Sequence, residues 1–159
     1  MKDHDLKLIA HRANFLGKSP LENSPKQVDK CIELGFECEV DIRLIDGDFY
    51  LGHDYPEFKV DFDWISKRSI KLWLHCKDFN SLNFFAKISD SDFNFFWHDK
   101  DQYTLTNKGY IWAYPGVSVS NNCIVVLPET WLPSQVNTME LDYLGICSDF
   151  IENYRINKH

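Results

Sequence analysis

Apolar and polar positions alternate strictly along residues 37–44. Glu37, Glu39, Asp41 and Arg43 fall on one parity, and Cys38, Val40, Ile42 and Leu44 on the other. Period-two alternation over this length predicts a strand with one charged and one apolar face. Seven runs rich in apolar and aromatic residues predict strands at 6–12, 36–44, 70–77, 93–99, 109–116, 122–129 and 144–150. Most are apolar on both faces for part of their length, as buried parallel strands are. Asp46-Gly47, flanked by apolar residues, predicts a tight hairpin turn, so residues 49–54 return as a short extra strand.

Between the early strands the apolar spacing becomes helical. In the run from Ser24 to Gly35, Ser24 is placed to cap a helix, Pro25 to occupy its first turn and Gly35 to lie beyond its end. Residues 62–69 and 79–89 predict two more helices. This alternation argues for parallel strands joined by right-handed crossovers. The later connections, about ten and about six residues long, are too short for helical crossovers, which need roughly a dozen residues. A full eightfold barrel takes about 250 residues. The expectation is therefore an α/β fold: one domain over residues 1–159, a reduced or irregular TIM-type (β/α) barrel. It would have about seven mostly parallel strands, some outer helices missing, and the short hairpin strand at 49–54.

Composition narrows the function. With 44% hydrophobic residues the chain can bury a core, and a net charge of −7 with no basic run argues against a nucleic-acid polymer as partner. Five cysteines, odd in number and never in a C-x-x-C pair, read as reduced thiols. The first twelve residues show no apolar signal core, and no window approaches the roughly 18 apolar residues of a membrane span. A cytoplasmic protein is expected.

Polar groups gather at the predicted strand ends: His11-Arg12, Glu39 with Asp41, His53-Asp54, His75 with Lys77, His98-Asp99, Glu129 and Asp149. Ligands of parallel α/β folds bind at those ends. Two carboxylates of one parity, Glu39 and Asp41, are placed to hold a hard cation. Trp97, Trp112 and Tyr114 are expected in the core, with Trp112 or Tyr114 able to form an apolar or sugar-stacking wall.

The order IAHRAN, LENS, G-x-x-x-E-x-D-x-R, DG and LGHD over residues 9–54 resembles the glycerophosphodiester phosphodiesterase family, within the phospholipase-C-like phosphodiesterases. LWLHCK and GICSDF resemble that family's later strands. The resemblance implies a short-variant, metal-dependent phosphoric diester hydrolase for a small glycerophosphodiester-like substrate, acting by hydrolysis or cyclisation. The chain is shorter than a typical barrel of the family and has fewer late loops, so the expected pocket is more open and its alcohol group is allowed to be a sugar phosphate, a nucleotide-derived diester or a phospholipid headgroup. The resemblance also implies His11 and His53 as the acid/base pair, Arg12 and Lys77 as phosphate contacts, and Glu39 and Asp41 as metal ligands. Glu22, Asn23, His98 and Trp112 are further substrate-site candidates, and Asp149 is expected to orient a histidine.

The family has a third carboxylate where this chain has His75. Nitrogen in place of oxygen disfavours Ca²⁺ and Mg²⁺ relative to Mn²⁺ or Zn²⁺. His75 is then a metal ligand with altered preference, or absent from the ligand set, or a substrate contact. The expected cofactor is a divalent ion, Mg²⁺, Ca²⁺ or Mn²⁺ before Zn²⁺. The alternative function is a non-catalytic protein that binds a sugar phosphate or nucleotide.

Overall fold

The computed structural model describes residues 6–88, 92–132 and 143–155. Ten strands form one mixed sheet: β1 (Lys7–Ala10), β2 (Glu37–Ile45), β3 (Asp48–Leu51), β4 (Phe58–Val60), β5 (Leu72–Cys76), β6 (Asn94–Phe96), β7 (Tyr103–Leu105), β8 (Ile111–Ala113), β9 (Cys123–Val126) and β10 (Gly145–Ser148). Their order is β4-β3-β2-β1-β10-β9-β8-β7, while β5 pairs with β2 on one side and β6 on the other. The pairs β2–β3, β3–β4 and β7–β8 are antiparallel.

This architecture corrects the expected TIM-type barrel. The sheet curls into a half-barrel of mixed strands, and only three α-helices accompany it among the described residues. They are α1 (Pro25–Glu33), α2 (Phe62–Ser66) and α3 (Phe79–Lys87). All three precede β6, so the later strands have no helical layer among the described residues. The predicted runs do each contain a strand. Two strands were not anticipated: β4, with three residues and no clean alternation, and β7, whose pattern is exposed–intermediate–exposed.

Local chemistry explains the helices. Ser24 Oγ accepts from the Gln27 amide at 3.2 Å, and Asp61 and Asp78 cap α2 and α3 in the same way, at 2.7 and 2.8 Å. Helix α1 turns Val28 and Cys31 onto the sheet, where the Cys31 thiol donates to the Ala13 carbonyl at 2.9 Å.

The two parities of the strands divide the interior. Cys38, Val40, Ile42, Leu72, Leu74 and Phe85 belong to the larger apolar cluster under the helices. The opposite parity builds a smaller cluster inside the curl: Ile9, Trp73, Phe96, Trp112, Ile124, Val126 and Cys147. Trp112 lies 4.7 Å from Phe96 and 5.8 Å from Trp73 between ring centres. This aromatic floor supports the polar groups one step further along the same strands.

Candidate active site

The alternating strand places Glu37, Glu39 and Asp41 on the concave face. Glu37, at the start of β2, accepts from the Trp73 indole at 2.6 Å and ion-pairs with Lys7 at 3.4 Å. Glu39 and Asp41 lie deeper, 2% and 1% exposed. Parallel pairing puts His75 directly beside Asp41. Its Nδ1 stands 3.1 Å from Asp41 Oδ1 and 3.5 Å from Glu39 Oε1. The three residues offer one ligand atom each, all within 4.8 Å of one another.

The neighbours orient this triad. The Arg12 amide donates to Glu39 Oε2 at 2.9 Å, and Asn23 brackets Asp41, its amide donating to Oδ2 at 3.0 Å and its carbonyl accepting from the Asp41 amide at 2.9 Å. Asp41 Oδ1 has no well-aligned donor, its 3.1 Å contact with His75 having the length of a hydrogen bond but not the direction. His75 Nε2 donates to the His98 carbonyl at 2.9 Å and its ring stacks on Phe96 at 5.0 Å, which aims Nδ1 at the carboxylates. Burial disfavours the His75 imidazolium, but Asp41 and Glu39 outweigh it and raise the pKa to about 9. Burial also opposes ionisation of Asp41, yet His75, Asn23 and Arg12 hold its pKa below the usual carboxylate range. A buried carboxylate oxygen without an aligned donor, a second carboxylate and an oriented imidazole nitrogen are a donor set that fits a divalent cation.

Around the triad, one pocket of about 390 Å³ gathers His11, Arg12, His53, Lys77, His98 and Trp112. His11 opens a turn in which Arg12 and Ala13 both adopt left-handed backbone, φ 51° and 60°. Two such non-glycine residues in succession are strained, and strain of this kind is kept where geometry serves a site. His11 Nδ1 meets Asp149 Oδ1 at 2.8 Å, and Asn14 holds the same oxygen at 2.9 Å. Burial lowers the His11 pKa, but Asp149 and the nearby Glu39 carry it above its ordinary value. Arg12 reaches Glu22 at 3.3 Å and lies 3.6 Å from Asp41. Lys77 follows β5 and has no hydrogen bond or ion pair to its ammonium among the described residues.

His53 arrives from the other side. The β2–β3 hairpin returns the chain, and the Gly52 amide bonds the Asp41 carbonyl at 3.1 Å. Gly52 has φ 144°, and a Cβ there would collide with the Tyr55 carbonyl oxygen, so only glycine fits. Arg43 donates to the Gly52 carbonyl and, at 2.6 Å, to that of His53. His53 Nδ1 lies 2.8 Å from Asp54 Oδ1.

The structure redistributes several expected roles. Glu22 and Asn23 do not line the pocket: Glu22 bridges Arg12 and Asn14, and Asn23 holds Asp41, so both position other groups. Asp149 orients His11. Trp112 is 5% exposed in the floor, whereas Trp97 and Tyr114, expected in the core, are 42% and 50% exposed. Sequence reasoning passed over Asn14 and Arg43. Asn14 carried no signal beyond its place in IAHRAN, and Arg43 read as the wet end of a strand. No helix among the described residues is long and apolar enough to cross a membrane. Comparison with protein-family models, with curated proteins and with solved structures returned no match.

Proposed function

We propose that the protein is a metal-dependent phosphodiesterase for a small phosphodiester. The observation that carries this reading is the buried Glu39–Asp41–His75 triad sharing one pocket with two histidines, an arginine and a lysine. A phosphodiester anion resists nucleophilic attack until its charge is neutralised, and a divalent cation held by Glu39, Asp41 and His75 would supply part of that neutralisation. Arg12 and Lys77 supply the rest from the chain itself. Arg12 is oriented by Glu22 and Asp41, so its fork is already arranged before substrate binds.

The two histidines divide the proton transfers. His53, 35% exposed at the end of the hairpin, takes the proton from the attacking hydroxyl of water or of the substrate itself. His11, buried against Asp149 with a raised pKa, holds a proton that it gives to the leaving alkoxide as the phosphorus–oxygen bond breaks. Asp149 and Asp54 each engage Nδ1, which leaves Nε2 of both rings for chemistry. The five free, buried cysteines support a reducing, cytoplasmic setting.

The test is turnover of bis(p-nitrophenyl) phosphate and a panel of glycerophosphodiesters by the full chain with Mn²⁺, Mg²⁺ or Ca²⁺. Cleavage that falls about 10²–10⁴-fold in His11→Ala is expected. No cleavage of any substrate, or full activity in His11→Ala, would sink the reading. Tight phosphate-ester binding without turnover would instead favour a non-catalytic phospho-ligand protein.

A further inference from the structure

Arg12, Lys77 and the triad serve the phosphate in the function proposed above, on which this inference rests. The same pocket is also lined by His98, Asp99, Tyr114 and Trp112, with the His98 ring 6.3 Å from that of His75.

His98 is the informative residue. It is 9% exposed, and its Nε2 is buried without a hydrogen-bond partner while the ring lines the pocket. Leaving a buried ring nitrogen unpaired is costly, so the position is arranged for a group that arrives with the ligand. A hydroxyl meets an imidazole nitrogen in either tautomer, donating to the lone pair or accepting from the N–H. Beside it Asp99 is exposed at the rim, with no hydrogen-bond or ion-pair partner among the described residues. Its carboxylate only accepts and repels a second phosphate. The two neighbours together ask for adjacent hydroxyls. A nucleobase edge, which alternates donors with acceptors, meets them less well.

The ring of His98 also lies against Tyr114, with centroids 5.5 Å apart and planes 8° from parallel. Tyr114 is thereby held flat and remains half exposed. A flat, fixed aromatic surface beside hydroxyl-binding groups suits a ligand with an extended C–H face, which a ring offers and an open three-carbon chain does not.

We propose that His98, Asp99 and Tyr114 form a sugar subsite, so that the alcohol esterified to the phosphate is a cyclic, polyhydroxylated one. His98 Nε2 and the Asp99 carboxylate hold adjacent hydroxyls, and Tyr114 covers the apolar face of the ring. His98 would hold the sugar through its side chain, while its backbone carbonyl accepts from His75 Nε2 and its ring meets that of His75 edge to face at 6.3 Å.

The experiment is calorimetry on the full chain in Mn²⁺, comparing a hexose 1-phosphate with glycerol 3-phosphate and inorganic phosphate. Wild type is expected to bind the hexose phosphate at least about tenfold tighter than the other two, equivalent to about 1.4 kcal/mol. In His98→Phe, which keeps a flat ring and removes the nitrogen, the ratio of hexose phosphate to inorganic phosphate affinity falls toward one. Tyr114→Ala, at an exposed position, gives the same loss and serves if His98→Phe does not fold. Equal affinity for all three ligands in wild type, or a preference that survives both substitutions, overturns the subsite. Cleavage of bis(p-nitrophenyl) phosphate by a wild type without sugar preference refutes the subsite and leaves the phosphodiesterase reading standing. Sugar preference lost in the variants, with no turnover of any diester, refutes the catalytic reading and leaves the subsite standing. Neither binding nor turnover removes both.

Discussion

Single residues set the chemistry of this pocket, and His75 sets most of it. An imidazole completing a Glu–Asp pair admits the softer divalent ions, so His75→Glu is expected to move the metal preference from Mn²⁺ toward Mg²⁺ and Ca²⁺, read by calorimetric titration of each ion. Unchanged preference would remove His75 from the ligand set. The His11–Asp149 pair gives a pH prediction. The folded pKa of His11 is raised above 6.5, so its contribution to stability is complete below pH 6.5 and fades as pH rises through the raised value. The pKa of Asp149 is lowered from 3.8, so its contribution is complete above that pH and fades as pH falls. Their pairing therefore stabilises most between about pH 4 and 6.5. Asp149→Asn removes the partner but not the burial, so the His11 pKa drops, measured by NMR titration of the imidazole. The thermal stability lost in this variant should be largest inside that window, and a pH-independent loss would contradict the pairing. Most of these residues were legible in sequence, because strand-end histidines and alternating carboxylates are visible as patterns. Asn14 was not, since its importance is two contacts to residues 8 and 135 positions away.

At the scale of elements, the β2–β3 hairpin is the part that delivers His53. The Asp46-Gly47 turn and the alternation of β2 announced it, but the clamp that fixes its far end is tertiary. Arg43 sits on β2 and grips the carbonyls of Gly52 and His53 from the side. Arg43→Met is expected to free the loop and lower kcat by about 10²-fold through misplacement of His53, while metal affinity stays near wild type. Steady-state kinetics beside a metal titration checks this, and equal losses in both would point to general unfolding instead. The helices were readable for a local reason. Ser24, Asp61 and Asp78 each cap the turn that follows them, an interaction spanning three residues. The strands β4 and β7 were not readable, because three residues leave too little pattern.

For the whole molecule, the aromatic floor couples stability to the site. Trp73 is 2% exposed, packs on Trp112 and donates to Glu37, so Trp73→Ala is expected to cost about 3–5 kcal/mol in chemical denaturation. A loss below about 1 kcal/mol would mean that the half-barrel interior does not depend on this layer. The architecture itself was only partly legible. Alternating strands and helices argued for a (β/α) barrel, and the mixed half-barrel overturns that expectation already in the first half of the chain, where the unanticipated β4 pairs antiparallel with β3. Local alternation did not reach this sheet, because strand direction and neighbour choice are set by long-range pairing. β1 lies between β2 and β10, the first and last parts of the chain joined in one ladder.

The sequence by itself determined the elements and the chemical inventory: capped helices, alternating strands, a hairpin, and histidines and carboxylates at strand ends. These depend on residues within a few positions of one another, where propensity and periodicity act directly. The tertiary structure alone decided the curl of the sheet, the meeting of His75 with Asp41, the holding of His11 by Asp149 and the clamp of Arg43 on the His53 loop. Each of these depends on which strand lies beside which, and that follows from burying one shared core rather than from any local run of residues.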